Sequence, residues 1–314
     1  MNDLEMDNKT LDTEFLVLGF SDQEHLQGLL FAVFLSIYLV NLIGNLAILT
    51  LVFFESGLHK PMYFFLGNLA ILDICLSSST LPKMLVLSLR KSKAVPFSEC
   101  MAQLYLIMAF TSTEFFLLAA MAYDRYAAIC SPLHYSMIMN KRVCGILVAS
   151  SWISGFLCVL PHSIWMCLSS FCGHNTIDHF FCDLQTLLKL SCSDTSVIEM
   201  LLVTLNMGLA TGCFLLILVS YFYIISSILK IRSVEGRRKA FSTCSSHLTV
   251  VIIYSITVLL VYVRSRSMNT LPGDKLFGVL YNAVIPMLNP IIYSLRNKEV
   301  KSALMKGTRR KTVG

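Results

Sequence analysis

Apolar residues in this chain come in long uninterrupted blocks, not in the one-sided patterns of a soluble core. The first block, residues 29–54, contains no charged residue. Six more follow at about 61–82, 100–123, 143–168, 200–229, 240–263 and 276–295. A helix needs about 20 mostly apolar residues to cross roughly 30 Å of hydrocarbon, so each block predicts one membrane-spanning helix. The expected fold is an all-α membrane protein: a seven-transmembrane helix bundle over 26–295, behind an N-terminal tail, 1–25. Residues 296–314 predict a short amphipathic C-terminal helix and tail. There Val300, Ala303, Leu304 and Gly307 recur at helical spacing among Lys298, Lys301 and Lys306, which suits a helix lying on the inner leaflet.

Composition narrows the function classes. Of 314 residues, 55% are hydrophobic and 14% charged, against about 25% charged in soluble domains. Mean hydropathy is +0.69. No stretch is left for a separate soluble domain, which excludes a soluble enzyme, a nucleic-acid-binding module and a disordered scaffold. Charge then predicts orientation, because cytoplasmic loops collect Lys and Arg. With the C-terminus inside, the inner segments hold 16 of the 25 basic residues against four acids. The segment with Lys83, Arg90, Lys91 and Lys93 dissents. The balance elsewhere predicts a multi-pass plasma-membrane protein, N-terminus extracellular and C-terminus cytoplasmic. The basic blocks 237–239 and 309–311 read as anchors against anionic membrane lipid, not as nucleic-acid contacts. The acidic first 25 residues hold no apolar h-region, so the first span is expected to act as the insertion signal. Asn8 opens an Asn-Lys-Thr glycosylation acceptor on the outer side.

Two carboxylates inside the spans, Asp73 and Glu114, are the costliest residues, because an unpaired charge at mid-bilayer costs several kcal/mol. At about 1.5 Å per residue, Asp73 lies about 18 Å from Pro61 and Glu114 about 16 Å from Arg125. Asn45 and Asn289 fall at similar depths. Four oxygen-bearing side chains at one level suit a hard cation. The alternative is a protonated carboxyl hydrogen-bonded to its neighbours. Among the cysteines, Cys100, Cys172, Cys182 and Cys192 fall on the oxidising side, where three pairings are open. Cys75, Cys130, Cys144, Cys158, Cys213 and Cys244 are expected to pack as free thiols.

Four motifs stand in order along the chain. Pro61-Met62-Tyr63-Phe64-Phe65-Leu66 opens the second span, and Met121-Ala122-Tyr123-Asp124-Arg125-Tyr126-Ala127-Ala128-Ile129-Cys130 closes the third. Lys239-Ala240-Phe241-Ser242-Thr243-Cys244-Ser245-Ser246-His247-Leu248 enters the sixth. Pro286-Met287-Leu288-Asn289-Pro290-Ile291-Ile292-Tyr293-Ser294-Leu295-Arg296-Asn297 closes the seventh. Together, from about residue 15 to 300, they resemble the odorant receptors, a rhodopsin-like branch of the G-protein-coupled receptors.

The resemblance implies a receptor, not an enzyme, with a small hydrophobic volatile odorant as ligand. It also implies a heterotrimeric stimulatory G protein as partner and cAMP as output. It assigns Asp124, Arg125, Tyr126, Tyr221, His247 and Tyr293 to G-protein coupling and activation. The Arg125–Asp124 pair would hold the resting state. The outer halves of the spans would bind odorant through Met108, Thr111 and Ser112, which share a helical face, with Asn206, Val258, Leu259 and Tyr262. The polar level of Asp73, Glu114, Asn45 and Asn289 would hold a sodium ion, a modulator and not a cofactor. Disulfides Cys100–Cys182 and Cys172–Cys192 are implied too. Two departures stand out: Ser255 occupies a position that usually carries an aromatic residue, and Ala127 replaces a commoner Val. Catalysis finds no support, since the spans offer only His162 and His247 and no pair of His four apart. A transporter would bring inverted repeats and paired broken helices, and neither is evident.

Overall fold

The computed structural model describes residues 14–19, 24–89, 93–171, 175–192, 196–265, 278–296, 299–303 and 305. The long helices are α1 (Glu24–Phe54), α2 (Pro61–Leu89), α3 (Phe97–Cys130), α4 (Lys141–Leu168), α5 (Ser196–Leu229) and α6 (Val234–Ser265). A π-turn, Leu280–Val284, leads into α7 (Ile285–Arg296). Helices α1 to α5 are long and apolar enough to cross a membrane, and α6 carries a shorter apolar stretch, Cys244–Thr257. Helices satisfy their own backbone groups, which hydrocarbon requires. Their outer faces carry exposed Ile43, Ile153, Leu216 and Phe222, an apolar surface suited to lipid.

Helix α3 is the central post, packed against α2, α4, α5 and α6, while α1 and α7 meet each other and α2. One buried cluster gathers Leu117, Leu118, Met121, Ile224, Tyr254 and Tyr293. Two small residues permit the closest approaches. A Cβ on Gly155 of α4 would fall 2.7 Å from the Thr113 backbone of α3, and one on Gly44 of α1 would fall 2.9 Å from the Pro290 ring of α7.

The helices depart from the predicted spans in three ways. Pro82 lies inside α2 and does not end it, and the helix runs on to Leu89. Proline breaks one hydrogen bond of the ladder, a loss tolerated in membrane helices when neighbours satisfy the freed groups. Lys83 therefore belongs to a helix, and it pairs with Glu99 at 2.9 Å, which offsets part of the dissenting basic charge. Third, the N-terminal segment contributes a strand. β1 (Glu14–Val17) pairs antiparallel with β2 (Ala94–Pro96) and parallel with β3 (Thr176–Ile177) in the connection between α4 and α5. Phe15 is fully buried there, 5.4 Å from the Phe171 ring in an edge contact and 6.2 Å from Phe97.

After α7, residues 299–303 are helical with Val300 and Ala303 buried. Glu299 ties this segment to the start of α2: its carboxylate accepts from Lys60 Nζ at 2.8 and 2.9 Å and from the Tyr63 hydroxyl at 2.9 Å. Leu304 and Gly307, expected on its apolar face, lie outside the described residues.

Candidate functional site

The C-terminal end of α3 carries a buried polar cluster. Asp124 and Arg125 are adjacent in sequence, and both are buried, at 1% and 7% exposure. Buried charges are retained only in pairs. Arg125 donates to Asp124 Oδ2 through Nε, at 3.0 Å, and through its terminal nitrogen. The other carboxylate oxygen, Oδ1, accepts from the Tyr135 hydroxyl at 2.7 Å. Tyr135 sits in a short helical turn, Tyr135–Ile138, between α3 and α4. Burial and the facing Asp124 carboxylate hold its hydroxyl above the usual phenol range. Motif reading alone had no signal for Tyr135, which reaches Asp124 across eleven residues of chain.

Around this pair stand the other residues expected to couple. The Tyr221 hydroxyl of α5 lies 2.7 Å from His247 Nδ1 of α6, with the rings stacked at 5.8 Å. Tyr293 of α7 is fully buried, and its hydroxyl has no hydrogen-bond partner among the described residues. Tyr126 is half-buried, edge-on to Tyr223 of α5 at 6.0 Å. The structure thus brings α3, α5, α6 and α7 together at one level, near the C-terminal end of α3.

Deeper in the bundle, Asp73 and Glu114 are both fully buried and close enough to repel each other as ions. Asn289 donates to both oxygens of Asp73, at 3.0 and 3.1 Å. Glu114 lies near Asn289 and Tyr254, yet neither of its oxygens makes a hydrogen bond of normal geometry. The Asn45 amide nitrogen donates to Asn41 Oδ1 at 2.7 Å and to the Pro286 carbonyl at 3.3 Å, while its oxygen has no hydrogen-bond partner among the described residues. Among the described residues no three His, Cys, Asp or Glu side chains cluster as metal ligands. A monovalent ion held by two carboxylates and an amide oxygen asks for fewer. The unpartnered oxygens of Glu114 beside Asp73 form an all-oxygen donor set that fits a hard cation.

Residues 34–311 match the family model described as olfactory receptor. The chain belongs to the olfactory receptor family. It is 48% identical over 304 residues to olfactory receptor-like protein OLF1 of Canis lupus familiaris, covering 97% of this chain and 98% of that one. It is 47% identical over 304 residues to human olfactory receptor 5I1, covering 97% of each. Mouse olfactory receptor 5AP2 matches at 48% over 299 residues, covering 95% of this chain and 94% of that one. As an olfactory receptor this is a multi-pass membrane protein, a receptor and not an enzyme, with odorants as the general ligand class and G proteins as the general partner.

In this olfactory receptor three of the expected ligand residues, Met108, Thr111 and Ser112, have described side chains, toward the N-terminal half of α3. Met108 packs against the buried cluster of Cys100, Leu104 and Cys182. Thr111 bonds its hydroxyl to its own helix at Ile107, and its carbonyl accepts from Tyr254 of α6 at 2.9 Å. Ser112 is turned to α4, beside the Cys158 thiol. The side chains of Asn206, Val258, Leu259 and Tyr262 lie outside the described residues. Ser255 is half-buried, while Tyr254 beside it carries the aromatic contact, edge-on to Phe115 at 4.8 Å. Cys100 and Cys182 form a disulfide. Cys192 is disulfide-bonded, and its expected partner Cys172 lies outside the described residues, as does Asn8. Cys75, Cys130, Cys144, Cys158, Cys213 and Cys244 are free, and so is the exposed Cys167.

Proposed function

We propose that this olfactory receptor binds a small, mostly hydrophobic volatile in the outer half of a seven-span bundle and activates a stimulatory, olfactory-type G protein, raising cAMP. The N-terminus is extracellular with Asn8 glycosylated, the C-terminus is cytoplasmic, and a second disulfide joins Cys172 to Cys192. The observation that carries the mechanism is the grouping around the Asp124–Arg125 pair. Arg125 donates to Asp124 through two of its nitrogens, and the buried Tyr221 of α5 and Tyr293 of α7 stand around them. We read this as the resting arrangement. An odorant that binds the rearranged bundle more tightly shifts the population by that difference in affinity.

On opening, Arg125 leaves Asp124 and meets the G protein, while Tyr221 and Tyr293 turn toward the space it vacates. Met108, Thr111 and Ser112, with Asn206, Val258, Leu259 and Tyr262, contact the odorant. An apolar pocket with few polar groups favours a neutral ligand. Asp73, Glu114, Asn45 and Asn289 would hold a sodium ion in the resting state. The ion would supply positive charge to two buried carboxylates that repel each other as ions.

The test is cAMP in cells expressing the full chain with an olfactory-type stimulatory G protein, against a broad odorant panel. Wild type is expected to respond to at least one volatile, and Arg125→Ala, at equal surface expression, is expected to lose that response. A response that survives in Arg125→Ala would overturn the coupling mechanism.

A further inference from the structure

Gln103 lies on α3 one turn along from Cys100, and it is buried at 5% exposure. Its amide makes two bonds that leave the helix in different directions. Nε2 donates to the Ser79 carbonyl of α2 at 2.9 Å, and Oε1 accepts from the Cys182 backbone N–H at 3.2 Å. Ser79 stands three residues before Pro82, in the turn of α2 where the ring's missing N–H interrupts the helical ladder. A primary amide is suited to this place because it carries a donor and an acceptor on one rigid plane. Asn would be one methylene short.

We propose that Gln103 is a positioning residue that fixes the connection between α4 and α5 over the ligand-side face of α3, and so sets which odorants the receptor accepts. The idea rests on the ligand placement proposed above. The Cys100–Cys182 disulfide ties the connection to α3 through one side chain. Gln103 grips the same residue, Cys182, by its backbone, which fixes the direction of that peptide as well as its distance from α3. Because the other end of the amide is held by α2, the connection is referenced to two helices at once. Cys182 shares a buried cluster with Leu104 and Met166, and Met108 packs against that cluster. A shift of Cys182 is therefore felt at the first candidate ligand contact. The two residues before it, Phe180 and Phe181, are buried against the cluster around Phe34 and Val279, so the same shift reaches α1 and the head of α7.

The test has two arms. In the first, hydrogen–deuterium exchange is followed on the purified full-length receptor in phosphatidylcholine nanodiscs, without ligand. Gln103→Met, which keeps volume but no hydrogen bond, is expected to raise exchange at the Cys182 amide about ten-fold. The Cys100–Cys182 bridge stays intact on a non-reducing gel, and residues 117–130 of α3 exchange as in wild type. Should Gln103→Met fail to fold, Gln103→Asn serves instead, with the same outcome expected. In the second arm, cAMP responses are ranked over a homologous series of straight-chain aldehydes and alcohols. The variants are expected to reorder that series, whereas a merely destabilising change would scale every response together. Cys182 exchange as slow in the variants as in wild type overturns the proposal, and so does an unchanged rank order. If surface-expressed wild type answers no member of the series or of a wider panel, the ligand and coupling proposed above are what fails, and exchange still decides whether Gln103 positions the connection.

Discussion

The Tyr135 hydroxyl donates to Asp124 Oδ1 at 2.7 Å and so shares one buried carboxylate with Arg125. The turn between α3 and α4 is therefore tied to the Asp124–Arg125 pair. Tyr135→Phe would remove a bond to a charged group, worth about 1.5–3 kcal/mol, and leave Oδ1 buried without that donor. Ligand-independent cAMP, corrected for surface expression, is expected to rise about ten-fold, since about 1.4 kcal/mol corresponds to that ratio. The hydroxyl is held above the usual phenol range, so its contribution is complete at neutral pH and is lost only as pH rises through that raised value. Basal activity should then owe no pH dependence to Tyr135 between about pH 6 and 8.

The close approach of α3 and α4 rests on Gly155. A methyl group there would lie 2.7 Å from the Thr113 backbone, which has no free end to swing aside. Gly155→Ala is expected to cost about 1–3 kcal/mol through overpacking, read as a lower unfolding temperature and reduced surface expression. Gly145→Ala on the same helix meets nothing within 4 Å, and it should be neutral or slightly stabilising, since Ala is the better helix former by about 1 kcal/mol.

Sodium binding would make stability depend on the cation. Replacing choline by sodium at constant ionic strength should raise the wild-type unfolding temperature, by the equivalent of about 1.4 kcal/mol at ten times the dissociation constant. Asp73→Asn and Glu114→Gln should each abolish the increment. An equal increment in all three proteins would exclude the carboxylate pair as the site.

Phe15 holds β1 in its sheet. Phe15→Ala removes a fully buried ring between Phe97 and Phe171, a change that costs about 3–5 kcal/mol in well-packed cores. Hydrogen exchange is expected to accelerate at the amides of Leu16, Val17 and Leu18. These bond to Asn175, Lys93 and Ile177, at 2.7, 3.0 and 3.0 Å respectively. Exchange in α3 should not change.

The long apolar runs made α1 to α5 legible, because crossing a bilayer demands length and apolarity and little else. The Asp124–Arg125 pair was legible for a related reason: its two members are neighbours in the chain. What escaped depends on contacts between distant segments. Pro82 looked like a helix end because its ring breaks the ladder locally, while α2 continues through it to Leu89. Glu14–Val17 is too short a run to announce a strand, and its two partners come from residues about 80 and 160 positions later. Gln103 and Tyr135 carried no motif at all, since each matters through what lies opposite it.

The contact between Gly44 of α1 and Pro290 of α7 has a bearing on how the chain assembles. As synthesis runs from the N-terminus, α1 enters the membrane first, yet the carbonyl that Asn45 reaches, at Pro286, is made 241 residues later. In the interval a polar amide faces hydrocarbon. Asn41, one turn earlier, accepts from that amide at 2.7 Å within the same helix, so the first helix carries its own provisional partner. The bundle is a ring whose two ends are the first and last pieces made. Its closing seam stays open until translation is nearly over, and chain-terminating mutations anywhere before α7 should leave every earlier helix inserted but the ring unsealed.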